Sequence, residues 1–256
     1  MSGLTASTAA CRDLSTDTPP VVLIHGVGFG PETLAPLAAA MEPYAHVEIP
    51  ARRGYGERAH LPAAAKVGEH VEDIVDALDE AGVGRAVVAG MSGGATIALA
   101  LALRCPERVV AAIAHEPAVG SIAPELRALV RGALARGGGG ELVRVLAGPE
   151  TWARLPAAVV RALDASSGLV EADAGAFLAF EPQLAAAPAR APLVCSVGER
   201  SSALRYTVAE RLAARTGAPV AVVPGCGHLP QFDAPEAFAA LVLEQVLIKP
   251  REMEAL

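Results

Sequence analysis

The chain has 256 residues, 52% of them hydrophobic and 19% charged, a size and balance that suit one α/β domain with a large core and exclude a disordered chain. A formal net charge of −7 leaves no basic footprint, so neither nucleic acid nor an anionic membrane is an expected partner. Cys11, Cys105, Cys195 and Cys226 are scattered without C-x-x-C spacing and the first twenty residues lack a basic start with an apolar run, which points to free thiols, no zinc site and a cytoplasmic protein.

In chain order, residues 21–24 form a short apolar run that stops at His25-Gly26, as a buried strand entering a tight loop does. A helix is expected over 31–41, with Pro31 in its first turn, then a strand over 45–49 and an extended loop over 50–62. Val67, Val71, Ile74, Val75 and Leu78 recur at helical spacing, and the acidic residues between them, from Glu69 to Glu80, read as a solvated face. Gly82 and Gly84 end that helix, a strand follows over 85–89, and Gly90-Met91-Ser92-Gly93-Gly94 leads into an almost wholly apolar helix reaching Arg104. Further strands are expected over 109–114, 193–197 and 220–223, with Leu204, Val208 and Leu212 marking a helix between the last two. Strands that are apolar throughout and alternate with helices predict a mostly parallel sheet covered on both faces. Residues 117–190 break the rhythm: helical in pattern, without a strand, jointed at Gly137 to Gly140 and punctuated by Pro149, Pro156 and Pro182, they read as a helical cap. Residues 1–116 and 191–256 then make up the core domain.

Gly-x-Ser-x-Gly between a strand and a helix is a nucleophile elbow: the turn is so sharp that glycines must flank Ser92, whose hydroxyl then stands above the carboxyl ends of the strands. The helix beginning at Gly93 aims its N-terminal N–H groups at developing negative charge. The loop His25-Gly26-Val27-Gly28-Phe29-Gly30 can bring a second amide, that of Val27, beside that of Gly93 as an oxyanion hole. His228, on the loop after the last strand, is placed for a general base; His25 is read as structural, His46 starts a strand, His60 and His70 lie near an exposed helix, and His115 adjoins Glu116 too closely to act independently.

The motifs HGVGFG, RRGYG, GMSGG and GCGHLPQFDAPEAF, spread in order over nearly the whole chain, resemble the landmarks of the α/β-hydrolase superfamily. The resemblance implies the α/β-hydrolase fold with a cap, Ser92 as nucleophile, Val27 and Gly93 as oxyanion donors, His228 as base, and hydrolysis of an ester, lactone or thioester without cofactor or metal. It departs from the family at the acid, because Gly198-Glu199-Arg200 leads to Ser201 and Ser202 where an aspartate is usual. The acid is then expected to be Glu116, just beyond the fourth strand, with Glu199, or no acid at all, as the alternatives. The expected partner is a small acyl substrate, with Phe29, Trp152, Phe177 and Phe180 as candidate pocket walls. A lyase, cyclase or acyltransferase on the same fold, and a non-catalytic small-molecule receptor, are the alternatives.

Overall fold

Residues 18–183 and 191–247 are described by the computed structural model; Cys11 lies outside them. The six apolar runs form one parallel sheet: β1 (Val21–Ile24), β2 (Val47–Glu48), β3 (Ala86–Met91), β4 (Val109–His115), β5 (Leu193–Gly198) and β6 (Val220–Val223), in the spatial order β2-β1-β3-β4-β5-β6. Side-chain parity divides the core in two. Val22, Ile24, Val88, Ala112 and Ala114 face α2 (Val67–Glu80), α3 (Gly93–Arg104) and α8 (Ala203–Thr216). Val21, Leu23, Val87, Ala89 and Ile113 face α1 (Ala35–Met41) and α10 (Pro235–Leu247). With both faces covered, only the sheet margin shows apolar side chains, and Val220 and Val222 on β6 are exposed.

The strand order reverses between β1 and β3, since the chain leaves β1 for the β2 edge and returns to β3 on the other side. In parallel sheets, ligands gather outside the carboxyl ends of the strands at such a reversal. The loop from Gly26 and the elbow at Ser92 leave those two ends.

Between β4 and β5 lie α4 (Pro124–Ala147), α5 (Pro149–Arg154), α6 (Ala157–Ala165) and α7 (Ser167–Ala179). The glycine run expected as a joint is one: Gly138 takes φ 63° and bends α4 there. Among the described residues no helix is long and apolar enough to cross a membrane.

Three expectations need correction. The strand expected over 45–49 is only Val47–Glu48. The acidic face of α2 is not wholly solvated: Asp73 is buried, and its carboxylate takes Arg53 Nε at 2.6 Å and Nη2 at 2.9 Å. His70, expected near an exposed helix, is completely buried and stacks on Phe177 with ring centroids 5.5 Å apart. To these the structure adds α10, a helix with little periodic signal in the sequence: Phe238, Ala239, Val242 and Val246 bury one stripe of it, but its alanines suit either face and blur the pattern.

Candidate functional site

Ser92 sits between the last residue of β3 and the first of α3 with φ 54° and ψ −118°, a conformation rare for a residue with a side chain and sustained only where the surroundings enforce it. They do so through the 2.9 Å bond from its N–H to the His115 carbonyl and through the two glycines. A Cβ on Gly90 would overlap the Gly94 carbonyl, and one on Gly94 would overlap the Ile24 carbonyl, so only this pattern lets α3 leave the sheet so steeply.

The β1 loop passes close by. A Cβ on Gly93 would stand 2.8 Å from Val27 Cγ2 and 2.7 Å from Phe177 Cε2, so glycine is needed for the two chain segments to approach. The amides of Val27 and Gly93 donate to no other group among the described residues. The loop is held from behind. Gly28 N–H donates to the Tyr55 hydroxyl at 2.9 Å, Tyr55 donates to Asp173 Oδ2 at 3.0 Å, and Arg52 Nη2 donates to the same oxygen at 2.8 Å and to the Gly26 carbonyl at 3.1 Å. His25 accepts the Arg52 amide through Nε2 at 3.1 Å, a structural part in this arrangement. Burial opposes ionisation of Asp173, but Arg52 and His70 outweigh it and hold its carboxyl well below the usual range.

His228 lies on the loop between β6 and α9 (Pro230–Asp233), anchored where the Gly227 carbonyl faces His115 Nε2 at 3.1 Å and the Gly227 amide donates to Asp233 at 3.0 Å. Glu116, one residue beyond β4 and at φ 49°, is completely buried. Its Oε2 is 2.6 Å from His228 Nδ1, and its Oε1 accepts the Gly198 amide at 3.0 Å and the Ser201 hydroxyl. Burial would raise the Glu116 pKa; the bond from His228 and the nearby His115 and Arg205 carry it well below the usual range instead. Burial and the Arg205 charge push His228 down to about 4, against the opposing pull of Glu116. At neutral pH the ring is therefore neutral, with the Nδ1 proton directed at Glu116 and a lone pair on Nε2.

That lone pair faces Arg205 Nη2 at 3.4 Å. Ser92 and His228 line one cavity of about 10 Å³, with Val27, Phe29, Leu146 and Ala147 among its walls, but no hydrogen bond joins them among the described residues. Arg205 also stands 3.6 Å from Glu116 Oε2 and lines a second cavity of about 670 Å³, which shares His228, Leu146 and Ala147 with the first.

The model of the alpha/beta hydrolase family matches residues 21–241, which includes every strand, the elbow and the histidine loop. The chain belongs to the alpha/beta hydrolase family. Solved structures share its fold at low identity. An enol-lactonase from Burkholderia xenovorans superposes with a TM-score of 0.71 at 21% identity, covering 90% of this chain and 91% of its own. A carboxylesterase from Bacillus subtilis gives 0.71 at 22%, covering 91% and 85%, and a thermophilic esterase from Thermogutta terrifontis gives 0.68 at 22%, covering 88% of each.

Within this alpha/beta hydrolase the other candidates fall as follows. Glu199 is exposed and accepts the Gly225 amide at 2.8 Å, away from His228. Phe29 lines the cavity at Ser92, whereas Phe177 is buried against Gly93 and His70. Trp152 and Phe180 are half-buried against the apolar core and line neither cavity at His228. Sequence reasoning missed Ser201, Tyr55, Asp173 and Arg205. Two of these had a signal. Arg205 shares the buried stripe of α8 with Val208, Ala209 and Leu212, and Asp173 shares that of α7 with Val170, Ala174 and Phe177, so each is a charge at a core position of its helix, although the apolar stripe of α7 is barely marked in the sequence.

Proposed function

We propose that this protein is a serine hydrolase that cleaves a carboxylic ester or lactone through an acyl-enzyme intermediate. The observation that carries the reading is the strained Ser92 at the head of α3, sharing a cavity with a buried neutral histidine whose Nδ1 is 2.6 Å from the Glu116 carboxylate. Ser92 attacks the carbonyl carbon while His228 Nε2 takes the hydroxyl proton. Glu116 holds the imidazole in the tautomer that makes Nε2 the acceptor and stabilises the imidazolium. The Val27 and Gly93 amides, with the N-terminus of α3, receive the negative charge of the tetrahedral intermediate. His228 then gives its proton to the leaving alkoxide, and water attacks the acyl-enzyme by the same steps in reverse. For the first step the His228 ring turns its Nε2 from Arg205 toward Ser92, an adjustment in keeping with catalytic bonds that tighten only when substrate is bound. Helices α4 to α7 act as a cap: Leu146 and Ala147 of α4 already wall the space at Ser92, so substrate choice belongs to them. Hydrolytic activity also suits a family in which similarly folded proteins are named lactonase and esterase.

The test is labelling with a fluorophosphonate followed by peptide mapping. Stoichiometric label on Ser92, abolished in Ser92→Ala and in His228→Ala, is the expected result; label elsewhere, or none on folded protein, defeats the proposal. A receptor reading draws on the Arg205 contact to His228 Nε2, which leaves Ser92 without its base. An unlabelled Ser92 together with tight retention of a small ligand is what that reading requires.

A further inference from the structure

The second cavity at His228 has a wall that the proposed hydrolysis does not use. Arg205, Arg200, Ser201 and Ser202 form one side of it, and Gly148, Pro149 and Glu150 part of the other. Arg205 is only 5% exposed, yet its Nη1 is buried with no acceptor. Its Nη2 has the 3.4 Å contact to His228, and its Nε stands 3.6 Å from Glu116 Oε2, beyond a good hydrogen bond. Neighbouring carboxylates do not complete the set. Glu116 already accepts from His228, Gly198 and Ser201, while Asp233 accepts from Thr151, Arg154 and the Gly227 amide. Glu150, at the rim, faces Arg200 at 3.3 Å. A guanidinium on the buried stripe of α8, with donors unmet, is costly where a leucine or methionine would pack without penalty. Nη1 is shut off from the cavity as the side chain stands, so an acceptor that enters removes that cost as the guanidinium turns toward it and away from His228.

We infer that the Arg205 wall is a carboxylate-binding subsite, and that the substrate is an ester or lactone bearing a carboxylate a few bonds from the reacting carbonyl. The inference rests on the hydrolase reading for the words ester and lactone, but the subsite itself does not. Arg200, at the mouth, is already paired with Asp233 at 3.2 Å and Glu150 at 3.3 Å, so the subsite rests on Arg205 alone. A monoanion fits better than a phosphate dianion because the ionised Glu116 lies against Arg205. The planar fork of the guanidinium matches the two oxygens of a carboxylate. Once those oxygens engage Nη1 and Nη2, the bond to His228 Nε2 is given up, so that binding the charged end frees the base to meet Ser92.

The test compares monoethyl succinate with ethyl butyrate, near-isosteres that differ in one carboxylate, by pH-stat hydrolysis on the full chain. The expected wild-type preference in kcat/KM for the charged ester is about 10- to 100-fold, the worth of a charge-assisted hydrogen bond. It collapses toward unity in Arg205→Met and is partly kept in Arg205→Lys. An unchanged ratio in folded Arg205→Met, or no wild-type preference, overturns the inference. Calorimetric titration is a readout independent of turnover: succinate binds the wild type, succinamide does not, and inorganic phosphate binds more weakly. If neither ester is cleaved and Ser92 takes no fluorophosphonate, the hydrolase reading has failed, and the titration alone decides. Succinate binding lost in Arg205→Met then supports the subsite, and absence of succinate binding overturns it. Should Arg205→Met not fold, the wild-type ester ratio and the succinate titration decide between the same two outcomes.

Discussion

Replacing Glu116 by Gln changes one atom at the centre of the site, and its effect follows from where the two carboxylate oxygens go. Oε2 takes the His228 Nδ1 proton at 2.6 Å, while Oε1 takes the Gly198 amide at 3.0 Å and the Ser201 hydroxyl. An amide cannot serve both ends. If its oxygen faces His228, its NH2 meets the Gly198 N–H, donor against donor; if its NH2 faces His228, the ring must carry its proton on Nε2 and cannot accept from Ser92. The first orientation leaves an unmet buried donor and the second reverses the tautomer. Loss of the orienting carboxylate costs roughly 10⁴ in kcat in serine-protease triads, or about 5 kcal/mol of barrier, and that is the expected order here. Stability falls as well, because Arg205 loses the only charge within salt-bridge reach among the described residues; breaking such a buried pair costs roughly 3–5 kcal/mol. The assay is kcat for p-nitrophenyl acetate from pH 5 to 9, beside a thermal melt followed by circular dichroism. Glu199→Gln, altering an exposed carboxylate that only caps the Gly225 amide, should stay near wild type. Folded Glu116→Gln turning over within tenfold of wild type would refute the argument, and a large loss only in Glu199→Gln would transfer the role.

The buried histidines make the fold acid-labile. His25, His70, His115 and His228 all have pKa values lowered by burial, so the unfolded chain binds more protons below its own value of about 6.5. Their contribution is complete above that pH and is lost as pH falls toward the folded values, about 4 for His228; a urea midpoint that stayed level from pH 7 to 4.5 would contradict this. In the proposed mechanism His228 works unprotonated, so kcat/KM should hold to about pH 5 and drop as pH falls through about 4, visible in a pH-rate profile. Tyr55→Phe leaves the Gly28 amide without its acceptor and is expected to lower kcat about tenfold with KM little changed, while costing roughly 1–3 kcal/mol in a denaturation curve. Leu146→Ala enlarges the space of about 10 Å³ at Ser92 and should raise kcat/KM for bulky acyl esters more than for acetate; equal effects on both would take Leu146 out of the pocket wall.

The parallel sheet, the elbow and the histidine loop were legible because each depends on local pattern. Unbroken apolar runs need cover on both faces, and Gly-x-Ser-x-Gly after such a run has a steric reason for every position. Glu116 was legible as one of two candidate acids, since its competitor Glu199 is equally near the end of a buried strand, and which of them meets His228 turns on which side chain points under its loop. Tertiary structure decided that. It also decided what no local pattern carries: Tyr55 and Asp173, separated by 118 residues, meet behind the β1 loop at 3.0 Å. The site of Arg205 belongs to the same class, because a charge on an apolar stripe signals a buried partner without naming it. Which groups face it is set by how α8 lies across β5 and the His228 loop, where Glu116 and His228, 112 residues apart in the chain, come together. Periodicity reports which face of an element is buried; only packing reports against what.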